Sequence, residues 1–242
     1  MYPNLIIGNL IIPSWYALLF TGVFVSTILA IYARPAKFPL NRIEILIVSA
    51  ILVISGLLGA RVLFILLHWK TMKFAISGIF SIYGGYAYFG ALIFCILVLW
   101  AYSVLRRINF LALLDYSMPF LILSQVFVRI GCLLAGCCYG KPTGKSFGFI
   151  FKPVDGLLRH PTQAYEALVL LSVYIIGRLI YRKKGRRYGY TFSITLILYG
   201  LGRFFVEYLR TDSPMIFLNL TLAQIACLSL VLTALAFYPL KR

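Results

Sequence analysis

Arginine and glutamate stand in this sequence where almost everything around them is apolar. Arg61 lies in GLLGARVLF, Arg129 in VFVRIGCLLAG, and Arg203, Glu207 and Arg210 in YGLGRFFVEYLR. A charge at bilayer depth costs about 2.5–3.5 kcal/mol on insertion scales, so each such residue points to a function. From Tyr199 the spacing to Arg203, Glu207 and Arg210 is i, i+4, i+8, i+11, which on a helix makes one polar stripe. Two chemistries fit it. An Arg203–Glu207 pair could pin two helices together. Alternatively, the arginines on separate apolar runs outnumber the carboxylates within reach, because Glu44, Asp115 and Glu166 fall near predicted helix ends. An arginine without a protein carboxylate suits a phosphate, which its planar guanidinium grips with two parallel hydrogen bonds.

Two further groups carry reactive side chains. RIGCLLAGCCYGKPTG holds Cys132, Cys137 and Cys138. Their C-x4-C-C spacing, with no well-placed histidine, fits no structural zinc pattern. Adjacent cysteines are also poorly placed to bridge each other. No metal and no cofactor is therefore expected, and the thiols are read as space-fillers beside Gly131 and Gly136. In RHPTQAYEA, His160 precedes Pro161, whose fixed φ suits a first helical turn. That places His160 at or near a helix cap, with Gln163 in reach of a free amide. Capping and proton transfer remain open for it. His68 beside Trp69 reads as an interfacial pair without chemistry.

The elements that carry these residues follow from composition. Of 242 residues, 62% are hydrophobic and 12% charged, and the mean hydropathy is +0.95. A soluble domain is about 45–50% apolar and about 25% charged. A soluble enzyme, a disordered chain and a nucleic-acid-binding domain are thereby excluded, despite the net charge of +17. An all-α, polytopic membrane protein remains. Apolar runs near the length of a membrane helix predict seven spans, at 14–33, 44–67, 84–105, 110–134, 161–181, 188–209 and 216–240. No repeat or second domain is visible, so residues 1–242 read as one membrane domain. The stretch of about 136–160, rich in Gly, Pro and Lys, reads as one loop.

Orientation follows from the basic residues. One set of alternate loops holds Arg34, Lys37, Arg42, Arg106, Arg107, Arg182, Lys183, Lys184, Arg186, Arg187, Lys241 and Arg242. The other holds Lys70, Lys73, Lys141, Lys145, Lys152 and Arg159. The larger set belongs in the cytoplasm, which puts the N-terminus outside and the C-terminus inside. Four of the smaller set crowd the 136–160 loop on the outer side. Binding anionic headgroups or phosphate is the natural task for them.

In order along the chain, WYAL (15–18), GARVLF (59–64), GGYAYFGALI (84–93), RIGCLLAGCCYGKPT (129–143), HPTQAYEA (160–167) and YGLGRFFVEYLR (199–210) resemble the segments of the prolipoprotein diacylglyceryl transferase family. The resemblance implies a multi-pass enzyme of the bacterial plasma (inner) membrane, its active site toward the outer side. It would move the diacylglyceryl group of phosphatidylglycerol onto the lipobox cysteine that follows a prolipoprotein signal peptide. Membrane lipid and that peptide are the implied partners, with no nucleic acid. Carried over by motif, Arg129 and Arg203 resemble the family's essential arginines, with Glu207 and His160 as further catalytic candidates. Tyr16, Arg61, Gly84, Gly85, Gly90, Gly136, Tyr199 and Arg210 match positions expected to bind substrate.

Two departures qualify the resemblance. Phe89 stands where the family's GG-x-x-x-HGG segment has a histidine, and phenylalanine accepts no proton. RIGCLLAGCCYG replaces the family's RIGNF-x-NGE-x-x-G, so cysteines and alanine stand in for amides and a carboxylate. Two alternatives accompany the transferase reading. One is a paralogue on the same scaffold with another lipid donor or acceptor. The other is a phospholipid-binding or transport protein without catalysis, although no internal symmetry of the kind that marks transporters is found.

Overall fold

A continuously apolar run in lipid must close its backbone hydrogen bonds within itself, which leaves it the helix. The computed structural model describes residues 4–7, 10–36, 38–68, 87–144, 147–151, 154–183, 187–211, 215–217 and 219–238. Among these are seven helices: α1 (Ser14–Tyr32), α2 (Arg42–Leu67), α3 (Tyr88–Leu105), α4 (Phe110–Ala135), α5 (Thr162–Arg182), α6 (Tyr190–Glu207) and α7 (Leu222–Ala236). Four of them, α1, α2, α4 and α5, are long and apolar enough to cross a membrane. Their outward faces carry large apolar side chains such as Phe24, Leu46, Leu66 and Leu168, each more than half exposed. Lipid, not water, is the solvent for such faces. The chain is a helical membrane protein.

Three small antiparallel hairpins were not expected. They pair β1 (Asn4–Ile7) with β2 (Leu10–Pro13), β3 (Phe149–Ile150) with β4 (Leu158–Arg159), and β5 (Met215–Phe217) with β6 (Leu220–Thr221). The last one corrects the seventh predicted span. The run from 216 is mostly apolar, but it first folds back as β5–β6, and the helix begins only at Leu222. Thr221 and Gln224 form a capping box there, each side chain accepting from the other's backbone N–H.

The described residues form two compact units. One comprises Ile31–Leu113. Within it, α2 starts on an Asn41–Glu44 capping box, and Glu44 also pairs with Arg106 at the end of α3. Glycines set how closely α2 and α3 pack. A Cβ on Gly90 would lie 2.1 Å from the Gly59 carbonyl oxygen, and one on Gly59 would lie 2.5 Å from that of Gly90. Only two glycines permit that approach. The other unit comprises Met1–Ala30 and Leu114–Arg242 and contains the core of Ile122, Leu123, Val126, Leu170 and Val173. This core locks α4 to α5. Tyr199 of α6 packs against it.

Candidate active site

Five side chains of the second unit form an alternating chain of charge. Nη2 of Arg129 on α4 lies 2.9 Å from Oε1 of Glu166 on α5, and Nε of Arg203 on α6 lies 3.2 Å from the same oxygen. Arg203 also pairs through Nη1 with Glu207, and Nε of Arg210 is 3.7 Å from that carboxylate. The Thr221 hydroxyl donates to the other Glu207 oxygen at 3.3 Å. Both glutamates are buried. Three arginines and two glutamates leave a formal surplus of one positive charge.

This arrangement corrects the expectation that the buried arginines lack carboxylates. The sequence pattern puts Glu166 near a helix end, yet it bridges Arg129 and Arg203. The signal was present in HPTQAYEA: if Pro161 starts the helix, Glu166 lies more than one turn inside it. Thr221 was also missed, although T-x-x-Q is the capping-box pattern. The proposed stripe on α6 is largely right. However, the helix ends at Glu207, and Arg210 follows in a turn whose N–H donates to the Glu207 carbonyl at 3.0 Å. Nε of Arg129 is buried and has no hydrogen-bond partner among the described residues. It is a charged donor that only a ligand or water can satisfy.

Loop and helix start are stitched together around this chain. Gly140 donates to the His160 carbonyl at 2.9 Å, His160 N–H donates to Lys141 at 3.1 Å, and Lys141 N–H donates to Leu209 at 2.7 Å. A Cβ on Gly140 would meet the His160 Cβ at 2.7 Å and the Leu209 oxygen at 2.8 Å, so this crossing requires glycine. His160 does not cap α5. Pro161 occupies the cap position without a side-chain bond, and the His160 Nδ1 lies 3.3 Å from the Tyr165 hydroxyl. Gln163 is buried and donates to the Cys137 carbonyl rather than to a helix end, while the Thr162 hydroxyl donates to the Cys138 carbonyl at 2.6 Å.

Arg159 is another correction. Charge counting groups it with the outward lysines as a headgroup attractor, but it is buried and structural. Asp155 accepts from Nε and Nη2 along one edge of its guanidinium, its Nη1 donates to the Gly140 carbonyl at 3.1 Å, and Tyr139 lies under it with the ring centroid 5.1 Å away. That pairing holds the Asp155 carboxyl below the usual carboxylate range. Lys141 is exposed. Phe147, Phe149, Ile150 and Leu157 on the same loop are exposed and apolar.

The three thiols also come together. The Sγ atoms of Cys132, Cys137 and Cys138 all lie within 4.8 Å of one another, and none is in a disulfide. The Cys132 and Cys137 thiols, with Arg210 and Arg129 nearby, hold the Cys138 thiol well below its ordinary range, while contact with its two neighbours pushes Cys137 up. Gly136 ends α4 with φ 73°, the left-handed conformation usual just past a helix end.

Other expected positions are scattered. Tyr16 stacks on Trp15 in α1, with ring centroids 3.6 Å apart. Arg61 belongs to the other unit, where it is buried with its guanidinium 5.8 Å from the Phe64 ring centre. Gly90 belongs there too, and its packing against Gly59 accounts for the glycine. Gly84 and Gly85 lie outside the described residues, as does the side chain of Phe89.

Known proteins match this sequence along most of its length. The profile described as "Prolipoprotein diacylglyceryl transferase" matches residues 5–240. The chain belongs to the prolipoprotein diacylglyceryl transferase family. Among its relatives is phosphatidylglycerol–prolipoprotein diacylglyceryl transferase 2 of Clostridium perfringens, 37% identical over 212 residues, or 85% of this chain and 82% of the relative. The phosphatidylglycerol–prolipoprotein diacylglyceryl transferase of Clostridium tetani is 32% identical over 83% of the chain and 82% of its own length. That of Dehalococcoides mccartyi is 30% identical over 96% and 90%. The family match spans the Arg129–Glu166–Arg203–Glu207–Arg210 chain from end to end.

Proposed function

We propose that this chain transfers the diacylglyceryl group of phosphatidylglycerol to the lipobox cysteine of a prolipoprotein, as a multi-pass protein of the bacterial inner membrane working toward its outer side. Family membership and the names of the relatives support the reaction. Seven crossings with the N-terminus outside are supported by seven helices and by the distribution of Lys and Arg. In the reaction the acceptor sulfur attacks the glycerol carbon that bears the phosphate. A carbon–sulfur bond forms, the carbon–oxygen bond breaks, and its electron pair leaves with glycerol 1-phosphate.

The observation that carries the mechanism is the buried Nε–H of Arg129, without a hydrogen-bond partner among the described residues, at one end of a chain with surplus positive charge. As the phosphate leaves, negative charge gathers on its oxygens. A fixed donor in a water-poor site stabilises that charge without reorganising. Arg129 and Arg203 clamp one phosphate. Glu166 and Glu207 act as positioning residues that hold the guanidinium planes. Tyr16, Tyr199 and Arg210 contribute to the lipid site. Arginine charge lowers the acceptor thiol's pKa, and His160 is an auxiliary proton acceptor.

A second reading rests on Phe89 and on the cysteines where the family has amides and a carboxylate. It keeps the phosphate clamp and changes the donor or acceptor. Purified protein incubated with labelled phosphatidylglycerol and a lipobox peptide separates the two. Thioether product supports the first reading. Phosphate-ester cleavage without lipopeptide supports the second, and binding without turnover removes catalysis from both.

A further inference from the structure

Spacing argued against a metal at the cysteines, and the structure places their sulfurs together all the same. Adjacent residues of an extended chain send their side chains to opposite faces. Cys138 departs from this with φ 61°, a left-handed conformation that costs a non-glycine residue about 1–2 kcal/mol. It brings two neighbouring thiols to one side, where Cys132 meets them from the last turn of α4. The strain is held from outside the loop. Thr162 and Gln163, both buried at the start of α5, bind the carbonyls of Cys138 and Cys137, and Cys137 N–H donates to the Cys132 carbonyl at 3.2 Å.

We propose that Cys132, Cys137 and Cys138 bind one Zn2+-class cation as three thiolates, with an open fourth position that takes the acceptor thiol. The second half of this proposal rests on the transferase reading, and the first half does not. A tetrahedral zinc site with Zn–S bonds of about 2.3 Å needs sulfurs about 3.8 Å apart. Sulfurs already within 4.8 Å reach that by closing less than about 1 Å. Three soft sulfur donors, with no oxygen ligand among them, select a thiophilic ion over Mg2+ or Ca2+.

Charge points the same way. Three thiolates and a divalent ion sum to −1, against the +1 of the adjoining arginine–glutamate chain. Arg129 lies within electrostatic reach of Cys132 and Cys138, and Arg210 of Cys138. Cys137 is exposed, which gives an ion a way in.

Three protein ligands with a vacant fourth position are the pattern of catalytic rather than structural zinc. A thiol that coordinates such an ion gives up its proton. Here the S–H bond of the acceptor breaks, its proton passes to water, and the bound sulfur then attacks carbon as described above. This supplies the deprotonation that Phe89 cannot.

Metal content and Co2+ spectra of the full chain in lipid nanodiscs test both halves. Under reducing conditions, titration with Co2+ should show thiolate-to-metal charge-transfer absorption saturating at one ion per chain, and added Zn2+ should bleach it. Cys137→Ser should lose most of the binding, while Cys95→Ser and Cys227→Ser should keep it. Adding a lipobox peptide should shift the Co2+ spectrum, and its Cys→Ser analogue should not. Absence of stoichiometric binding in the wild type overturns the site, as does an intact mass about 2 Da low, which reports a disulfide instead. Binding with a spectrum indifferent to the peptide overturns the fourth-ligand role alone. A failure of the transferase reading shows separately, as absent thioether product in a chain that still binds one ion.

Discussion

Buried carboxylates serve two ends of α4 in opposite ways. Near its start, Asp115 is fully buried and accepts from the backbone N–H groups of Gly189 and Phe192 at 2.9 and 2.7 Å. These are orphan donors at the start of α6, so one anion satisfies a helix end and its dipole together. Fourteen residues on, about 21 Å along the helix, Arg129 opens the chain through Glu166, Arg203, Glu207 and Arg210. There the charges meet other side chains, they do not cancel, and one N–H of Arg129 has no hydrogen-bond partner among the described residues. A buried charge closed by main chain is a fastener. A buried charge balanced by other side chains, with a donor to spare, is a site.

The sharpest test of that distinction is Arg203→Lys. It keeps the charge and removes the planar fork that meets Glu166 and Glu207 together. Turnover in the peptide assay should fall on the order of 10²–10³-fold, the scale seen for a lost transition-state donor, with the protein still monodisperse. Wild-type rates would reduce the charge chain to a second fastener. Next in size is His160→Asn. His160 approaches Tyr165 without capping α5, so its loss should slow the rate by less than about 100-fold, the lower bound for a general base. A folded but dead variant would make His160 the base and remove the need for arginine or metal activation.

Asp115→Ala should do the reverse of Arg203→Lys. It removes the acceptor of two N–H groups, one buried and one half-buried, and a buried group left unsatisfied costs about 1–3 kcal/mol, so the midpoint of thermal unfolding in detergent should drop clearly. The rate per folded molecule should stay near wild type. A large loss of rate at unchanged stability would show that both ends of α4 belong to the site.

The same division explains what is legible in the sequence. Long helices were legible because lipid imposes one backbone solution on an apolar run, and their ends fall within a few residues of those expected. The β5–β6 hairpin was not, because a fold-back of two or three apolar residues has no period of its own. Arg129, Arg203 and Glu207 stood out because charge is costly in lipid. Glu166 did not, since its value depends on where α5 starts. Arg159 was misjudged because charge counting treats every loop cation as solvated, and Asp155, four residues earlier, takes this one out of solution. The cysteines were hardest. Their convergence depends on a left-handed Cys138, a backbone choice that C-x4-C-C does not encode.

The smallest effect belongs to Lys141, which separates attraction from chemistry within one loop. Its backbone is tied to His160 and Leu209, while its side chain is exposed, so Lys141→Ala should leave the stitching intact and remove only a charge. A lysine near an anionic surface contributes about 1 kcal/mol, or roughly 5-fold in apparent affinity. KM for phosphatidylglycerol in vesicles should therefore rise by that factor at low ionic strength, with kcat unchanged. The difference should shrink as salt shortens the screening length from about 30 Å at 0.01 M to about 8 Å at 0.15 M. A buried contact would show no such convergence. If kcat fell instead, and salt made no difference, Lys141 would act on the leaving phosphate itself, and the line between the fastened loop and the charge chain would have to move outward to include it.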